Sequence, residues 1–240
     1  MSLFARAYQK AVPACVRGPV WHWRAWADTL ATNPVARRDW LARKFVALGQ
    51  PVRTVRVAHG RLRVDLRDTG VGRKIFVHGR YEEPEAAVLR DSLKPGMTYL
   101  DVGGNLGYLA TLAAKLVGES GRVIAVEPEP YNFALLRGNL RTNARTHAVA
   151  VNAAAGAAPG TAKLFKAVGN LGDHRLYADA DSAGRACVEV PVVRLDDLFT
   201  ANRWPAPDFI KIDVQGYEPH VVAGLDGIVT ADKPGAVLTE

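Results

Sequence analysis

Residues 97–128 read MTYLDVGGNLGYLATLAAKLVGESGRVIAVEP, and the fold is legible there. MTYLDV (97–102) is a short apolar run bounded by turn residues, the pattern of a strand buried on both faces. GGNLG (103–107) is a turn in which glycines let the backbone bend and approach closely. YLATLAAKLVG (108–118) is an apolar helix stopped by Gly118. RVIAVEP (122–128) is a second buried strand. Strand, turn, helix and strand in this order predict a parallel pair joined by a crossover helix.

Downstream the rhythm continues. YNFALLRGNLRTN (131–143) reads as a helix and HAVAVNAAA (147–155) as a third strand. TAKLFKA (161–167) and CVEVPVVRL (187–195) read as a hairpin pair around a polar loop, and LDDLF (195–199) opens a short helix. PDFIKIDVQG (207–216) is a fourth strand and turn, YEPHVVAGLDGIV (217–229) a helix, and GAVLTE (235–240) a fifth strand. The expected class is α/β: a Rossmann-like parallel sheet with helices on both faces. Upstream, VRTVRVAHGRLRVDL (52–66) alternates apolar and polar residues around His59-Gly60, a β-hairpin signal, and KIFVH (74–78) looks like another short strand. GRYEEPEAAVLRDSL (79–93) is a turn and an acidic-started helix.

Residues 1–50 read as short helices broken at Pro13, Gly18-Pro19 and Asn33-Pro34. They hold Trp21, Trp23, Trp26 and Trp40. Over 35–48, Trp40, Leu41, Phe45 and Leu48 share one helical face among Arg37, Arg38, Arg43 and Lys44. Such a helix docks on the body, lies on a membrane surface, or covers a substrate site. Residues 1–80 carry 16 Lys/Arg against 4 Asp/Glu, a net +12, while residues 81–240 carry a net −5. The division is therefore a basic, Trp-rich segment (1–50) and a catalytic-type domain (51–240). The cationic front fits an anionic partner such as phospholipid, a phosphorylated glycan or nucleic acid.

The composition is 48% apolar and 23% charged, which excludes a disordered tail protein. No apolar run reaches the roughly 18 to 20 residues of a membrane span, and charges interrupt any secretory signal. Cys15 and Cys187 fit neither a metal spacing nor a disulfide framework and read as small buried residues of a cytoplasmic protein.

The turn after Asp101 lies at the carboxyl end of a strand, where ligands of doubly wound sheets bind. A G-x-G-x-x-G fingerprint started at Gly103 would put glycines at Asn105 and Tyr108, so it fails, and no G-K-[ST] follows. Glu127 ends the second strand, 24 residues after Gly103, where a carboxylate can accept both hydroxyls of a ribose. A nucleoside without a polyphosphate fits this set, and S-adenosyl-L-methionine is one. No metal is called for.

LDVGGNLGYLATLAAKL, VIAVEPEPYNFALLRGNL and FIKIDVQGYEPHVVAG resemble the FkbM-type S-adenosylmethionine-dependent methyltransferases. HGRYEEPEAAVLRDSLKPG, AAAGAAPGTAKLF and VEVPVVRLDDLF are similar to other parts of that family, so the resemblance covers roughly residues 50–240. It implies a class I methyltransferase fold and O-methylation of a hydroxyl on a small-molecule, glycan, lipid or polyketide-type acceptor. No nucleic-acid partner is expected. Carried over position by position, the resemblance implies cofactor contacts from Asp101, Gly103, Asn105, Gly107 and Glu127, adenine contacts from Asn152 and Ala153, and an approach by Tyr81 and Glu82. Gly104 stands where the family more often has Ala. The sequence stops after the fifth strand, where a class I sheet looks for about two more. The expectation is a C-terminally truncated chain, a substitute element at that edge, or association through it.

Methyl transfer from a sulfonium is an in-line displacement in which alignment and exclusion of water matter most, and a hydroxyl nucleophile gains from a general base. Asp213, at the end of the fourth strand, is the first candidate, with a structural role capping Gly216-Tyr217 as the alternative. His174, in the loop GNLGDHRLY, is the second, and His78 and His220 follow. Other classes remain open: a module that binds the cofactor without turnover, and, against the failed fingerprint, a nicotinamide oxidoreductase.

Overall fold

In the computed structural model, which describes residues 29–177, 184–229 and 237–239, helix α1 (Pro34–Ala47) starts where Asn33 accepts the backbone N–H groups of Val35 and Ala36. Trp40, Leu41 and Phe45 are half-buried along it, and Phe45 meets Phe76 edge-on. Leu48 does not join this stripe: it is the C-cap residue, 70% exposed, and Gly49 turns the chain at φ +70°. Trp21, Trp23, Trp26 and Cys15 lie outside the described residues.

Strands β1 (Val52–Val57) and β2 (Gly60–Asp65) form the hairpin read from the alternation, with Val57 opposite Gly60. Val55, Val57, Leu62 and Val64 are buried, while Arg56, Arg61 and Arg63 are exposed. Residues 74–78 are not a strand but part of helix α2 (Gly72–His78). The Asp68 carboxylate accepts the N–H groups of Gly70, Val71 and Gly72 and so winds the first turn. Val71 and Ile75, four apart, then bury together. A five-residue apolar run has no period that separates the two readings.

After α3 (Glu83–Ser92) come β3 (Thr98–Val102), α4 (Tyr108–Val117), β4 (Arg122–Val126), α5 (Pro130–Thr142) and β5 (Ala148–Val151). The strand expected over 147–155 breaks at Asn152. Its second part, β6 (Ala154–Ala155), joins a separate three-stranded sheet with β7 (Gly160–Phe165) and β8 (Cys187–Val193). β7 and β8 are antiparallel, as read. Cys187, expected to be buried, is exposed at the start of β8. The chain continues through α6 (Leu195–Asn202), β9 (Phe209–Ile212), α7 (Glu218–Val222) and β10 (Val237–Thr239). The last helix is five residues long, shorter than its apolar pattern implied.

The main sheet runs β10-β9-β3-β4-β5, all parallel. Its side chains alternate between two cores. Tyr99, Val123, Ala125 and Phe209 pack with α4, α5 and the hairpin, whereas Leu100, Ile124, Val126, Ile210 and Ile212 pack with α6 and α7. The free edge of β2 is closed by α5. Asn139 and Asn143, one turn apart, each accept and donate a backbone hydrogen bond at Arg63 and Arg61, so two amides act as a substitute strand. Among the described residues no helix is long and apolar enough to cross a membrane.

His59, in the hairpin turn, is 3% exposed and meets Tyr108 edge-on. Burial holds its imidazole down at about 4, with Arg90, Lys115 and Arg145 pushing the same way. A depressed value favours the neutral ring in the fold. The resulting stability is present above the unfolded value near 6.5 and is lost as pH falls through about 4. His59→Phe should remove that acid sensitivity, worth on the order of 2–3 kcal/mol. Urea titrations between pH 7 and pH 4 check it; parallel curves for variant and parent would refute it.

Candidate active site

The rim is built where β3, β4 and β9 end side by side. Gly103 leaves β3 at φ +85°, and a Cβ there would lie 1.9 Å from the Asp213 carbonyl oxygen, so the ends of β3 and β9 nearly touch. The N–H groups of Gly103 and Gly104 both donate to the Val126 carbonyl, which ties the turn to β4. Above the turn is a cavity of about 230 Å³. Residues 103–105 line it from β3, Glu127 and Pro128 from β4, and residues 153–155 from the corner after β5. Tyr81 and Glu82 close one side, and the loop 170–174 another.

Glu127 is 5% exposed and accepts the N–H groups of Asn105 and Glu129 at 2.8 and 2.9 Å. Burial pushes its carboxyl up to about 7, against the lowering effect of those two bonds. Each oxygen keeps an acceptor site for a ligand hydroxyl. Asn105 and Gly103 line the cavity. Gly107 does not: it starts α4 at φ +88°, and a Cβ there would lie 2.7 Å from Leu136 Cδ1, so it serves the packing of α4 on α5. Asn152 also stands behind the wall. Its amide donates to the carbonyl oxygens of Glu127 and Pro128 at 2.9 and 3.0 Å, and the next residue, Ala153, lines the cavity.

Asp101 is 1% exposed, and its Oδ1 has no hydrogen-bond partner. Burial raises its carboxyl, opposed by the cation of Lys211. Sequence reading missed Lys211, which is 4% exposed; its Nζ sits 3.2 Å from Asp213 Oδ2 and 3.9 Å from Asp101 Oδ1. The two carboxylates hold its ammonium charged, overcoming burial. The signal was present: a lysine between Ile210 and Ile212 in a strand buried on both faces must have partners. Glu82 lines the same cavity from a left-handed backbone at φ +44°, a conformation rare outside glycine and Asn/Asp. Burial pushes it up to about 7, with Lys211 opposing and Asp213 and Asp101 reinforcing. Burial likewise raises the Tyr81 phenol, followed by the charge of Glu82.

Asp213 lines the cavity, held by Lys211 and by Gln215, whose amide donates to Oδ1 at 2.7 Å. It does not cap the following turn. Glu218 does, accepting the N–H groups of Val214 and Gly216. His174 also lines the cavity, but its Nδ1 accepts the Ala167 N–H at 2.9 Å. The neutral ring therefore carries its proton on Nε2, and burial lowers its basicity further. In this arrangement it is a hydrogen-bond donor rather than a base. His78 and His220 do not line the cavity, and His220 stacks on Tyr217.

The profile of the Methyltransferase FkbM domain matches residues 101–240. The protein-L-isoaspartate O-methyltransferase of Triticum aestivum is 34% identical over 122 residues, covering 50% of this chain and 49% of that protein. Its counterpart in Methanococcoides burtonii is 45% identical over 56 residues, covering 22% of this chain and 28% of that protein. The match thus spans about half the length, or less, of these curated relatives. Among solved structures, methyltransferase FkbM of Methylobacillus flagellatus KT is 19% identical with a TM-score of 0.39, over 68% of this chain and 40% of that one. The precorrin-6y C5,15-methyltransferase of Geobacter metallireducens GS-15 is 15% identical with a TM-score of 0.41, over 67% and 63%.

Proposed function

The chain belongs to the FkbM methyltransferase family, and from that premise we propose that it methylates a hydroxyl oxygen on a glycan, lipid or polyketide-type acceptor. S-adenosyl-L-methionine is the methyl donor of the family and supplies a sulfonium-bound methyl group when present. The residues of the cavity fit it. Glu127 has acceptor sites left for a ribose diol, Ala153 offers a small apolar wall for a base, and Asp101 and Gly103 line the same cavity. The observation that carries this reading is Glu127, a buried carboxylate on the β4 rim beside a glycine turn that has no phosphate fingerprint.

Asp213 is the group proposed to orient the acceptor hydroxyl and take its proton, since it lines the cavity and Glu218 does the capping. His174 is proposed to donate from Nε2 to an acceptor oxygen. Direction toward oxygen agrees with the O-methyltransferase names of the curated relatives.

Calorimetric titration tests the cofactor part. S-adenosylmethionine and S-adenosylhomocysteine should bind and NAD should not. Glu127→Ala should weaken binding by about 1.5–3 kcal/mol, the scale of hydrogen bonds to a charged group. A diol donates to the ionised carboxylate, so affinity should fall as pH drops from 8 to 6 through the value near 7. Glu127→Gln should flatten that dependence. Tight NAD binding or an unaffected Glu127→Ala would sink the assignment. For turnover, labelled methyl transfer to a panel of hydroxylated acceptors should fall roughly 10²-fold or more in Asp213→Asn, with cofactor binding kept. Binding without transfer to any acceptor would favour a non-catalytic module.

A further inference from the structure

Six arginines lie on the hairpin and on the helix fastened to its edge: Arg56 on β1, Arg61 and Arg63 on β2, Arg67 just after it, and Arg137 and Arg141 on α5. All six are exposed. The elements lie side by side because Asn139 and Asn143 fasten α5 to the edge of β2. Two arrangements here are costly. Arg56 and Arg61 are direct cross-strand partners in the hairpin, and like charges placed opposite each other destabilise a ribbon. Arg137 and Arg141 are four apart on a helix, where like charges also repel. Among the described residues no acid forms an ion pair with these four. The only acidic residue in β1, β2 and α5 is Asp65, which is buried and bonded to Arg67. Among the described residues, Arg67 alone of the six forms an ion pair.

We propose that this arginine face docks on an anionic phospholipid surface. The face is roughly 20 Å long, from six strand residues beside thirteen helical ones. A ribbon face next to a helix is broad and low, and among the described residues its elements are a two-stranded ribbon and a helix lying along it, not a helix projecting to enter a nucleic-acid groove. Its one exposed aromatic, Tyr131, has its hydroxyl donated to Asp65 and offers no row of rings for stacking bases. Each arginine near an anionic leaflet adds attraction comparable to the repulsion it suffers here, so lipid phosphates supply the missing countercharge. The face also ends beside the cavity. Asp65, Arg67 and Tyr131 line a second hollow of about 170 Å³, and Leu171 borders both that hollow and the main cavity. Docking in this way places the cavity mouth next to the headgroups, whatever acceptor is methylated there.

The experiment is flotation of the full 240-residue chain with vesicles of phosphatidylcholine alone and of equimolar phosphatidylcholine and phosphatidylglycerol. Binding is expected only to the anionic vesicles, and it should be lost by about 0.5 M salt, where screening is strong. The double variant Arg56→Ser, Arg61→Ser should lose at least tenfold in vesicle partition while melting at the same temperature or higher, because the opposed pair is gone. Arg37→Ser with Arg43→Ser on α1 should bind as the parent does. Equal binding to neutral vesicles, a hairpin variant that partitions like the parent, or loss confined to the α1 variant would each overturn the proposal. So would binding of a duplex oligonucleotide through the same arginines with no flotation on either vesicle.

Discussion

Lys211→Met should cost about 3–5 kcal/mol of stability at pH 8, the scale for removing one partner of a buried charge cluster. Methionine fills a similar volume, so the loss reports charge rather than a cavity. Lys211 is 4% exposed and lies between Asp101 and Asp213, with its Nζ also 3.4 Å from the Gly103 carbonyl. Asp101 and Glu82 already have raised carboxyls with the cation in place, through burial first and through neighbouring carboxylates next. Without Lys211 both rise further. A raised carboxyl contributes stability below its unfolded value and loses it as pH climbs through the folded one. The deficit of Lys211→Met should therefore be small near pH 5 and larger at pH 8. Urea midpoints at the two pH values measure it. An equal deficit at both would show that packing, not charge, holds Lys211 in place.

Gly103→Ala should cost about 2–5 kcal/mol and abolish cofactor binding. Two effects add: a non-glycine residue at φ +85°, and a Cβ 1.9 Å from the Asp213 carbonyl oxygen. Backbone cannot yield as a side chain tip can, so β3 and β9 would have to part at the rim. The neighbouring Gly104→Ala makes the contrast. Its Cβ would meet Ala125 Cβ at 3.3 Å and Leu136 Cδ2 at 3.4 Å, both side chains, and its φ is not in the left-handed region. It should stay within about 1 kcal/mol of the parent. Thermal melts of the two variants decide; similar losses in both would mean that the β3–β9 contact is not what requires Gly103.

The alternation of apolar strands with an apolar helix, the turn at 103–107 and Glu127 at the end of the next strand were all readable along the chain. Each is a local pattern: a period, a conformational preference or a fixed spacing from a strand end. The hairpin at 52–65 was readable for the same reason. Residues 74–78 were not, because Asp68, outside the run, selects the helix. Other assignments depended on partners far away in sequence. Asn152 is expected near the adenine from its place after β5, and only the packing shows its amide nitrogen donating to the carbonyls of Glu127 and Pro128. The loop sequence alone suits His174 to base work, but the Ala167 N–H, seven residues away, occupies its Nδ1. Lys211 and Asp101, 110 positions apart, meet only because β9 pairs beside β3. The order of elements and the chemistry at each strand end were determined by the sequence alone. Which of those groups face one cavity, and in what protonation state, was decided by packing, since burial and neighbouring charge exist only once distant strands lie side by side.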